Sequence, residues 1–293
     1  MADYRLMGVV NVTPDSFSDG GLFLDAQAAV QHGLELVEQG ADILDIGGES
    51  TRPGAEPVAV EEEKRRAIPV IEALAAATRS LPEPPQLSID TSKAAVARAA
   101  LAAGATLVND VSALRADPDM ASVVAGSDAD CCLMHMLGEP RTMQQVDGPR
   151  YKDVVDDIRA FLEERLRFAV QEGISEDRVV LDPGFGFGKT VAHNLELLRR
   201  LDEIVGVGRP VLVGTSRKSF LGVVLSPKPG ALDARAGGPV VEPLPVAERL
   251  PGTIATNVMA FERGATVFRV HDVAQVNNAL AAARAVLGAA GEA

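Results

Sequence analysis

The chain has 293 residues, of which 47% are hydrophobic, and carries a net charge of −13 from 28 basic and 41 acidic residues. This hydrophobic content supports a large folded core, whereas the acidic balance argues against nucleic acid and anionic membranes as general partners. No apolar run approaches the ~20 residues that a membrane span needs, and residues 1–5 lack the layout of a signal peptide, so we expect a cytoplasmic protein.

Eight short apolar runs alternate with stretches of helical spacing. In chain order the runs are 6–10, 42–46, 87–89, 106–108, 131–134, 179–181, 211–213 and 266–270. Helical spacing occupies 28–38, 61–77, 94–103, 151–172, 194–205 and 273–287. Apolar strands separated by helices predict a parallel sheet that is covered on both faces.

Eight strand and helix units predict a (β/α)8 TIM barrel that forms a single α/β domain over residues 1–293. The alternative is an open doubly wound sheet, but the first strand lacks the glycine-rich turn that such sheets often carry. Cys131 and Cys132 are neighbours in one strand, so their side chains point to opposite faces and we expect two buried thiols rather than a metal site.

In such a barrel the carboxyl ends of the strands converge on one mouth, where active sites lie. Polar residues end every run of this chain. In strand order these residues are Asn11; Glu49, Thr51 and Arg52; Asp90; Asn109; His135; Asp182; Thr215, Ser216, Arg217 and Lys218; and Arg269 with His271. The sequence therefore predicts one site assembled from residues that are far apart in the chain.

The charge at this mouth is predicted to be locally positive. The cations involved are Arg52, Lys189, Arg217, Lys218, Arg269 and His271. Cations at the mouth of an acidic protein favour an anionic substrate, although each of them is individually compatible with an ordinary solvated loop.

Three loops at the mouth have distinctive composition. Residues 11–21 and 47–54 are rich in turn formers and oxygen donors, which suggests lids rather than the ordinary surface turns that are the alternative. Residues 181–190 end in Gly188, Lys189 and Thr190 and look like a phosphate-binding P-loop, but Pro183 occupies the position where that motif requires glycine. We expect this loop to lie against a flat ligand, with Phe187 available to stack on it.

Two carboxylates, one amide and one ammonium group end strands that lie at this mouth. Asp90 and Asp182 can accept parallel N–H bonds from an amino-pyrimidinone edge, Asn109 can donate and accept, and Lys218 can donate to the ring carbonyl. This set matches the edge that pterins and guanines share. The alternative is a structural salt bridge between Lys218 and one carboxylate.

Seven segments together carry a family resemblance. They are 11–21, 47–54, 89–91, 108–111, 181–189, 216–218 and 269–272. In this order and on these strands they resemble the signatures of the dihydropteroate synthase family. The resemblance implies a transferase of folate biosynthesis that joins 4-aminobenzoate to (7,8-dihydropterin-6-yl)methyl diphosphate and releases diphosphate.

The resemblance also implies roles for individual residues. Asp90, Asn109, Asp182 and Lys218 match the family's pterin site, Arg269 and His271 match its diphosphate-binding pair, and Asn11 matches its Mg²⁺ ligand. Thr51, Arg52 and Ser216 match the 4-aminobenzoate site, where sulfonamide drugs compete in similar enzymes, and Phe187 flanks it. Asp90, Asp182, Lys218, Arg269 and His271 are thus expected to be catalytic, unless His271 is only a structural histidine.

Two other functions stay open at this point. A methyltransferase of the wider pterin-binding family would not need residues 13–17 or the Arg269 and His271 pair, and a non-catalytic paralogue would bind a pterin for regulation. Residues 226–246 depart from the family pattern, and their proline and glycine content predicts a flexible insertion. Because similar enzymes are usually homodimers, the resemblance also implies a homodimer.

Overall fold

The computed structural model describes residues 3–12, 22–50, 56–138, 151–227 and 242–289. Its strands are β1 (Arg5–Asn11), β2 (Ile43–Gly47), β3 (Gln86–Asp90), β4 (Leu107–Asp110), β5 (Asp130–Met134), β6 (Val179–Asp182), β7 (Leu212–Val213) and β8 (Val267–Val270). They form one parallel sheet in the order β6-β5-β4-β3-β2-β1-β8-β7.

The two ends of this sheet meet and close it into a barrel. Leu181 of β6 forms a parallel bridge to Val211, just before β7, and its amide donates to the carbonyl of Pro210 at 2.9 Å. The predicted (β/α)8 barrel is therefore confirmed, and the open doubly wound sheet is excluded.

The helices lie between the strands and cover the outside of the barrel. They are α1 (Leu22–Glu38), α2 (Val60–Thr78), α3 (Ala94–Ala103), α4 (Met120–Ala125), α5 (Val154–Gln171), α6 (Val191–Arg199), α7 (Leu201–Val205), α8 (Ser219–Leu225), α9 (Leu250–Glu262) and α10 (Val273–Ala289). In the described part of the chain, no helix combines the length and the apolar character needed to cross a membrane.

The prediction of one helix over 194–205 is wrong, because the backbone leaves helical geometry at Arg200, with φ −111° and ψ 29°. The guanidinium of Arg200 binds Asp153 and Glu203, each at 2.7 Å, and Leu201 is fully buried as α7 begins. Helices α4, α8 and α9 had no counterpart among the stretches that the sequence indicated.

The barrel interior contains two layers of side chains. Near the amino ends of the strands lies an apolar plug, formed by Met7, Ile43, Leu107, Cys132, Leu212 and Val267. Side chains alternate between the faces of a strand, so the residues two positions beyond Ile43, Leu107 and Val267 also point inward, one layer nearer the mouth. These residues are Asp45, Asn109 and Arg269.

A larger apolar cluster fills the space between the sheet and the helices, with Leu6, Ile46 and Leu74 among its fully buried members. Cys131 belongs to this outer cluster and Cys132 to the plug, and both are buried free thiols. The prediction that both are buried thiols on opposite faces of the strand is confirmed.

Candidate active site

One cavity opens at the carboxyl ends of the strands. It is lined by Asp90, Asn109, Val111, Met134, Asp182, Phe185, Phe187, Gly214, Ser216, Lys218, Arg269 and His271. Eight of the eleven side chains selected from the sequence are in this lining. Among the other three, Thr51 and Arg52 lie outside the described residues, and Asn11 is half-buried at the end of β1 but does not line the cavity.

The floor of the cavity is organised by Asp45, a fully buried carboxylate on β2. Its Oδ1 accepts from Ser88 Oγ at 2.6 Å, and its Oδ2 accepts from Asn109 Nδ2 at 3.1 Å and from Arg269 Nε at 2.7 Å. Asp45 was not among the residues predicted from the sequence, because it lies inside an apolar run rather than at its end. An acidic residue within a buried strand was the available signal, since a buried carboxylate requires donors.

Asp45 thereby fixes two residues that face the cavity. Because Asn109 donates to Asp45 with its Nδ2, its amide is oriented with Oδ1 directed away from that carboxylate. Arg269 donates Nε to Asp45 and Nη2 to Asp90 Oδ2 at 2.9 Å. Burial works against the charge of Arg269, but the two carboxylates prevail and raise its pKa above its usual value.

One carboxylate oxygen of Asp90 has no hydrogen-bond partner among the described residues. Its Oδ2 binds Arg269, whereas its Oδ1 is buried and finds no hydrogen-bond partner among the described residues. Burial raises the pKa of Asp90 to about 7, against the opposing effect of Arg269. A buried orphan acceptor costs free energy, and a ligand N–H would satisfy it.

Asp182 and Lys218 line the same cavity. Asp182 Oδ1 accepts from the amide of Gly184 at 2.7 Å, and burial raises the pKa of this carboxylate. Lys218 Nζ lies 4.0 Å from the centre of the Phe187 ring, and burial lowers its pKa to about 8, despite the attraction of Asp182. The alternative of a structural salt bridge is not observed, because no hydrogen bond joins Lys218 to Asp90 or Asp182. Their charged groups are therefore available to bind a ligand.

The loop after β6 is shaped by Lys189. This buried ammonium group donates to the carbonyls of Gly184 at 2.8 Å and Phe187 at 3.1 Å, and lies 3.0 Å from His135 Nδ1. Burial lowers the pKa of Lys189 to about 7. Lys189 therefore supports the loop from behind and does not present its charge to the mouth.

Gly184 allows this loop its close approach to β5. Its φ is +68°, and a Cβ at this position would lie 1.9 Å from the carbonyl oxygen of His135. Only glycine combines this conformation with this contact. The loop is thus held from both sides, by Lys189 and by its fit against His135.

His271 forms a pair with Ser216. Ser216 Oγ lies 3.0 Å from His271 Nδ1 and accepts from the His271 amide at 3.2 Å. Burial and then the charge of Arg269 lower the pKa of His271 to about 3, so the imidazole is neutral at pH 7. In the tautomer in which Nδ1 accepts from the serine hydroxyl, Nε2 carries the proton and is a donor.

Most of the cations that were predicted to be free at the mouth are bonded to acceptors within the protein. Lys189 is buried against carbonyls, Arg217 forms a two-pronged ion pair with Asp272 at 2.9 and 2.5 Å, and Arg269 lies between two carboxylates. Lys218 is the cation whose ammonium group has no carboxylate partner among the described lining residues. The prediction that Lys189, Arg217 and Arg269 are free cations at the mouth is therefore wrong, because nearby oxygen atoms accept their N–H groups.

The protein groups near Asn11 fit a Mg²⁺ ion only in part. Asn11 offers one hard amide oxygen, and no cluster of three acidic, histidine or cysteine side chains suited to a metal occurs in the described ranges. Mg²⁺ commonly keeps several waters and binds through one or two protein groups together with substrate phosphates. The residues present thus fit an ion that arrives with a diphosphate and do not fit a resident ion held by protein alone.

Hydrogen bonds and ion pairs anchor the described residues at the base of the predicted lid over 47–54. Glu49 Oε1 accepts from the amide of Val58 at 2.9 Å, and Glu49 Oε2 binds Lys93 at 2.5 Å. Lys93 also binds Glu63 at 2.5 Å. Most of both predicted lids lies outside the described residues, namely 13–21 of the lid over 11–21 and 51–54 of the lid over 47–54.

Comparison with known proteins matches the chain to one family over most of its length. The model of the family described as pterin binding enzyme matches residues 7–271. A dihydropteroate synthase of Clostridium beijerinckii is 43% identical over 275 residues, which are 94% of this chain and 91% of that protein.

Two solved structures have the same fold. A Xanthomonas albilineans dihydropteroate synthase with 4-aminobenzoic acid is 47% identical, with a TM-score of 0.83 and coverage of 97% of this chain and 93% of that one. A structure of dihydropteroate synthase from the same organism, in complex with 7,8-dihydropteroate, is 44% identical, with a TM-score of 0.80 and coverage of 97% and 94%.

Proposed function

The chain belongs to the pterin binding enzymes and, within them, to the dihydropteroate synthases, and we propose that its barrel mouth joins 4-aminobenzoate to (7,8-dihydropterin-6-yl)methyl diphosphate. It is a transferase, and the products are 7,8-dihydropteroate and diphosphate. Sulfonamides would compete for the 4-aminobenzoate position.

The observation that carries this proposal is the shared cavity of Asp182, Asn109 and Lys218. Asp182 accepts the two N–H groups of the amino-pyrimidinone edge, Lys218 donates to the ring carbonyl, and Asn109 presents its amide. The unpartnered Oδ1 of Asp90 supplies one more acceptor for a ring N–H. Phe187, stacked under Lys218, offers an apolar face to the arylamine.

The transfer needs no nucleophile from the protein. The bond between the pterin methylene carbon and the diphosphate oxygen breaks, and its electron pair leaves with the diphosphate. The nitrogen of 4-aminobenzoate forms the new C–N bond and releases one proton to solvent. Positive charge develops on the pterin during departure, and the carboxylates of Asp90 and Asp182 stabilise it by fixed electrostatics.

Hydrogen-bond donors bind the departing diphosphate. Neutral His271 donates from Nε2, and Ser216, which binds His271 Nδ1, orients the imidazole. Arg269 is paired with Asp45 and Asp90 through Nε and Nη2, and its Nη1, which takes part in neither bond, is the donor that it offers to the diphosphate. These groups stabilise the negative charge that grows on the diphosphate.

We propose Mg²⁺ as the cofactor, with Asn11 as its protein ligand. When bound, the ion supplies charge neutralisation for the diphosphate. The support is the hard oxygen that Asn11 offers at the end of β1, together with a substrate whose phosphates complete a coordination shell.

We also propose that the enzyme is a cytoplasmic homodimer. Two free buried cysteines suit a reducing compartment. The last helix, α10, leaves Val286 73% and Leu287 41% exposed, and Met259 of α9 is 39% exposed, which supports an apolar contact between subunits. Light scattering of the purified protein measures the mass and tests the dimer.

Incubation with the pterin diphosphate, 4-aminobenzoate and Mg²⁺ tests the reaction through diphosphate release and dihydropteroate formation. A cobalamin-dependent methyltransferase would instead require methyl-tetrahydrofolate, and a non-catalytic paralogue would bind the pterin without turnover. Pterin binding without diphosphate release would refute the proposed reaction.

A further inference from the structure

The loop that carries Ser216 and Lys218 passes through one residue in an unfavourable conformation. Arg217 has φ +57°, in the left-handed region that residues with a Cβ rarely adopt. Such a residue persists where its surroundings hold it from several sides. Its conformation sets the direction in which the flanking Ser216 and Lys218 enter the cavity.

Three groups hold Arg217. Its amide donates to Thr253 Oγ1 at 3.1 Å, and its guanidinium binds Asp272. Its carbonyl accepts from Arg249 Nη1 at 2.9 Å. Asp272 lies two residues after β8 and Thr253 lies in α9, whereas Arg249 joins the loop to a different part of the chain.

Arg249 connects the carbonyl of Arg217 to the end of the proline- and glycine-rich segment 226–246. It lies directly before α9, and its Nε donates to the carbonyl of Leu244 at 2.7 Å. The amide of Leu244 in turn donates to the carbonyl of Gly222 in α8 at 3.1 Å. One guanidinium thus bridges the carbonyls of Leu244 and Arg217 by charge-assisted hydrogen bonds.

The packing around this bridge depends on Gly222. A Cβ at Gly222 would lie 2.8 Å from Arg249 Nε and from Pro243 Cβ, and 2.9 Å from the Leu244 amide nitrogen. These distances are shorter than side chains tolerate, so residues 243–244 can reach α8 only because position 222 has no side chain. The described end of the predicted insertion, 242–246, is therefore seated against the helix that begins one residue after Lys218.

From this geometry we infer that Arg249 is a positioning residue for the transfer reaction. Arg249 is absent from the cavity lining and acts through the carbonyl of Arg217, which it ties to residues 243–244. The seat on Gly222 and the bridge through Arg249 together hold Lys218 above Phe187 and Ser216 beside His271. The inference rests on the proposed function for its kinetic readout.

Two variants perturb the bridge from opposite sides. Arg249→Met removes both hydrogen bonds, and Gly222→Ala displaces Pro243 and Leu244 while keeping Arg249. The matched control is Arg263→Met, which removes an arginine at the other end of α9 that also donates to two carbonyls, those of Arg199 and Met259. Melting temperatures of all three variants report the general cost to the fold.

The expected result is a fall of about tenfold in kcat/KM for the pterin diphosphate in both bridge variants, the size that loss of a charge-assisted hydrogen bond produces. Arg263→Met should leave kcat/KM within about twofold of the unmodified enzyme at a comparable melting temperature. Hydrogen exchange, which needs no activity, should quicken at the amides of Arg217 and Lys218 in the bridge variants alone, since these amides are bonded to Thr253 and Thr215.

Bridge variants that match Arg263→Met in both kinetics and exchange would overturn the inference. If the unmodified protein released no diphosphate, the proposed function would fail. The exchange comparison would still decide whether Arg249 holds the loop, so the two failures are distinguishable.

Discussion

The guanidinium of Arg269 lies 2.7 Å from the carboxylate of Asp45, and this ion pair joins the last strand of the barrel to the second. Asp45 is fully buried above the apolar plug. The apolar plug keeps water away from this side of the ion pair. Asp45 does not line the cavity, yet it holds Arg269, which does.

Asp45→Asn is expected to lower kcat by at least about tenfold and to destabilise the protein by about 1–3 kcal/mol. The amide retains an acceptor but removes the charge that balances Arg269, and an unbalanced buried charge is costly. Steady-state kinetics and urea unfolding measure the two effects. Ser88→Ala, which removes only a hydroxyl donor to Asp45, is the control and should change kcat far less.

Asp182→Asn is expected to slow turnover by about 100-fold, equivalent to about 3 kcal/mol of transition-state stabilisation. The asparagine oxygen can still accept from Gly184, so the fold should hold. Diphosphate release and thermal unfolding are compared with those of Asp130→Asn, a strand carboxylate at the amino end of the barrel that accepts from Gln86. Parallel losses of rate and stability would count against a catalytic role.

The pH dependence of kcat/KM is expected to be bell-shaped. The rate should rise through about pH 7, where Asp90 loses its proton and becomes an acceptor, and fall through about pH 8, where Lys218 loses its charge. Such a profile reports groups of the free enzyme. Lys218→Arg should move the alkaline limb upward because arginine stays protonated; an unchanged limb would assign it to another group.

Lys189→Met is expected to raise the KM for 4-aminobenzoate and to destabilise the protein by about 2–3 kcal/mol. The carbonyls of Gly184 and Phe187 lose a charged donor, and each such bond typically contributes about 1.5–3 kcal/mol. Part of this loss is offset because the variant no longer buries an ammonium group away from water. Phe187 would then lose its fixed place beside Lys218. Kinetics and denaturant unfolding check both effects, and a KM that does not move would separate the loop's stability from arylamine binding.

Removal of Mg²⁺ with a chelator is expected to abolish most turnover without changing the melting temperature of the unliganded protein. The described residues offer one amide oxygen and no acidic cluster, so the ion should bind with the diphosphate rather than to the protein alone. Asn11→Ala should raise the Mg²⁺ concentration that gives half-maximal rate. A chelator-induced fall in melting temperature would indicate a structural site instead.

The strands could be predicted from the sequence because each is a buried apolar run that stops at a polar residue, and eight parallel strands leave few ways to close. The same rule located Asp90, Asn109 and Asp182. It missed Asp45 because the rule examined strand ends, whereas the alternation of faces within β2 determines that Asp45 points inward. It also overestimated the free charge, because the pairing of Arg217 with Asp272 and of Lys189 with carbonyls depends on contacts between distant loops.

Gly184 restricts how inhibitor response can change in this enzyme. A Cβ there would lie 1.9 Å from the His135 carbonyl oxygen, so a substitution would push apart β5 and the loop that presents Phe187. In the proposed site, where a sulfonamide would compete for the 4-aminobenzoate position, a substitution at Gly184 would disturb the binding of both molecules. We therefore expect changes in the response to such an inhibitor at positions around the mouth whose side chains can vary without moving this backbone.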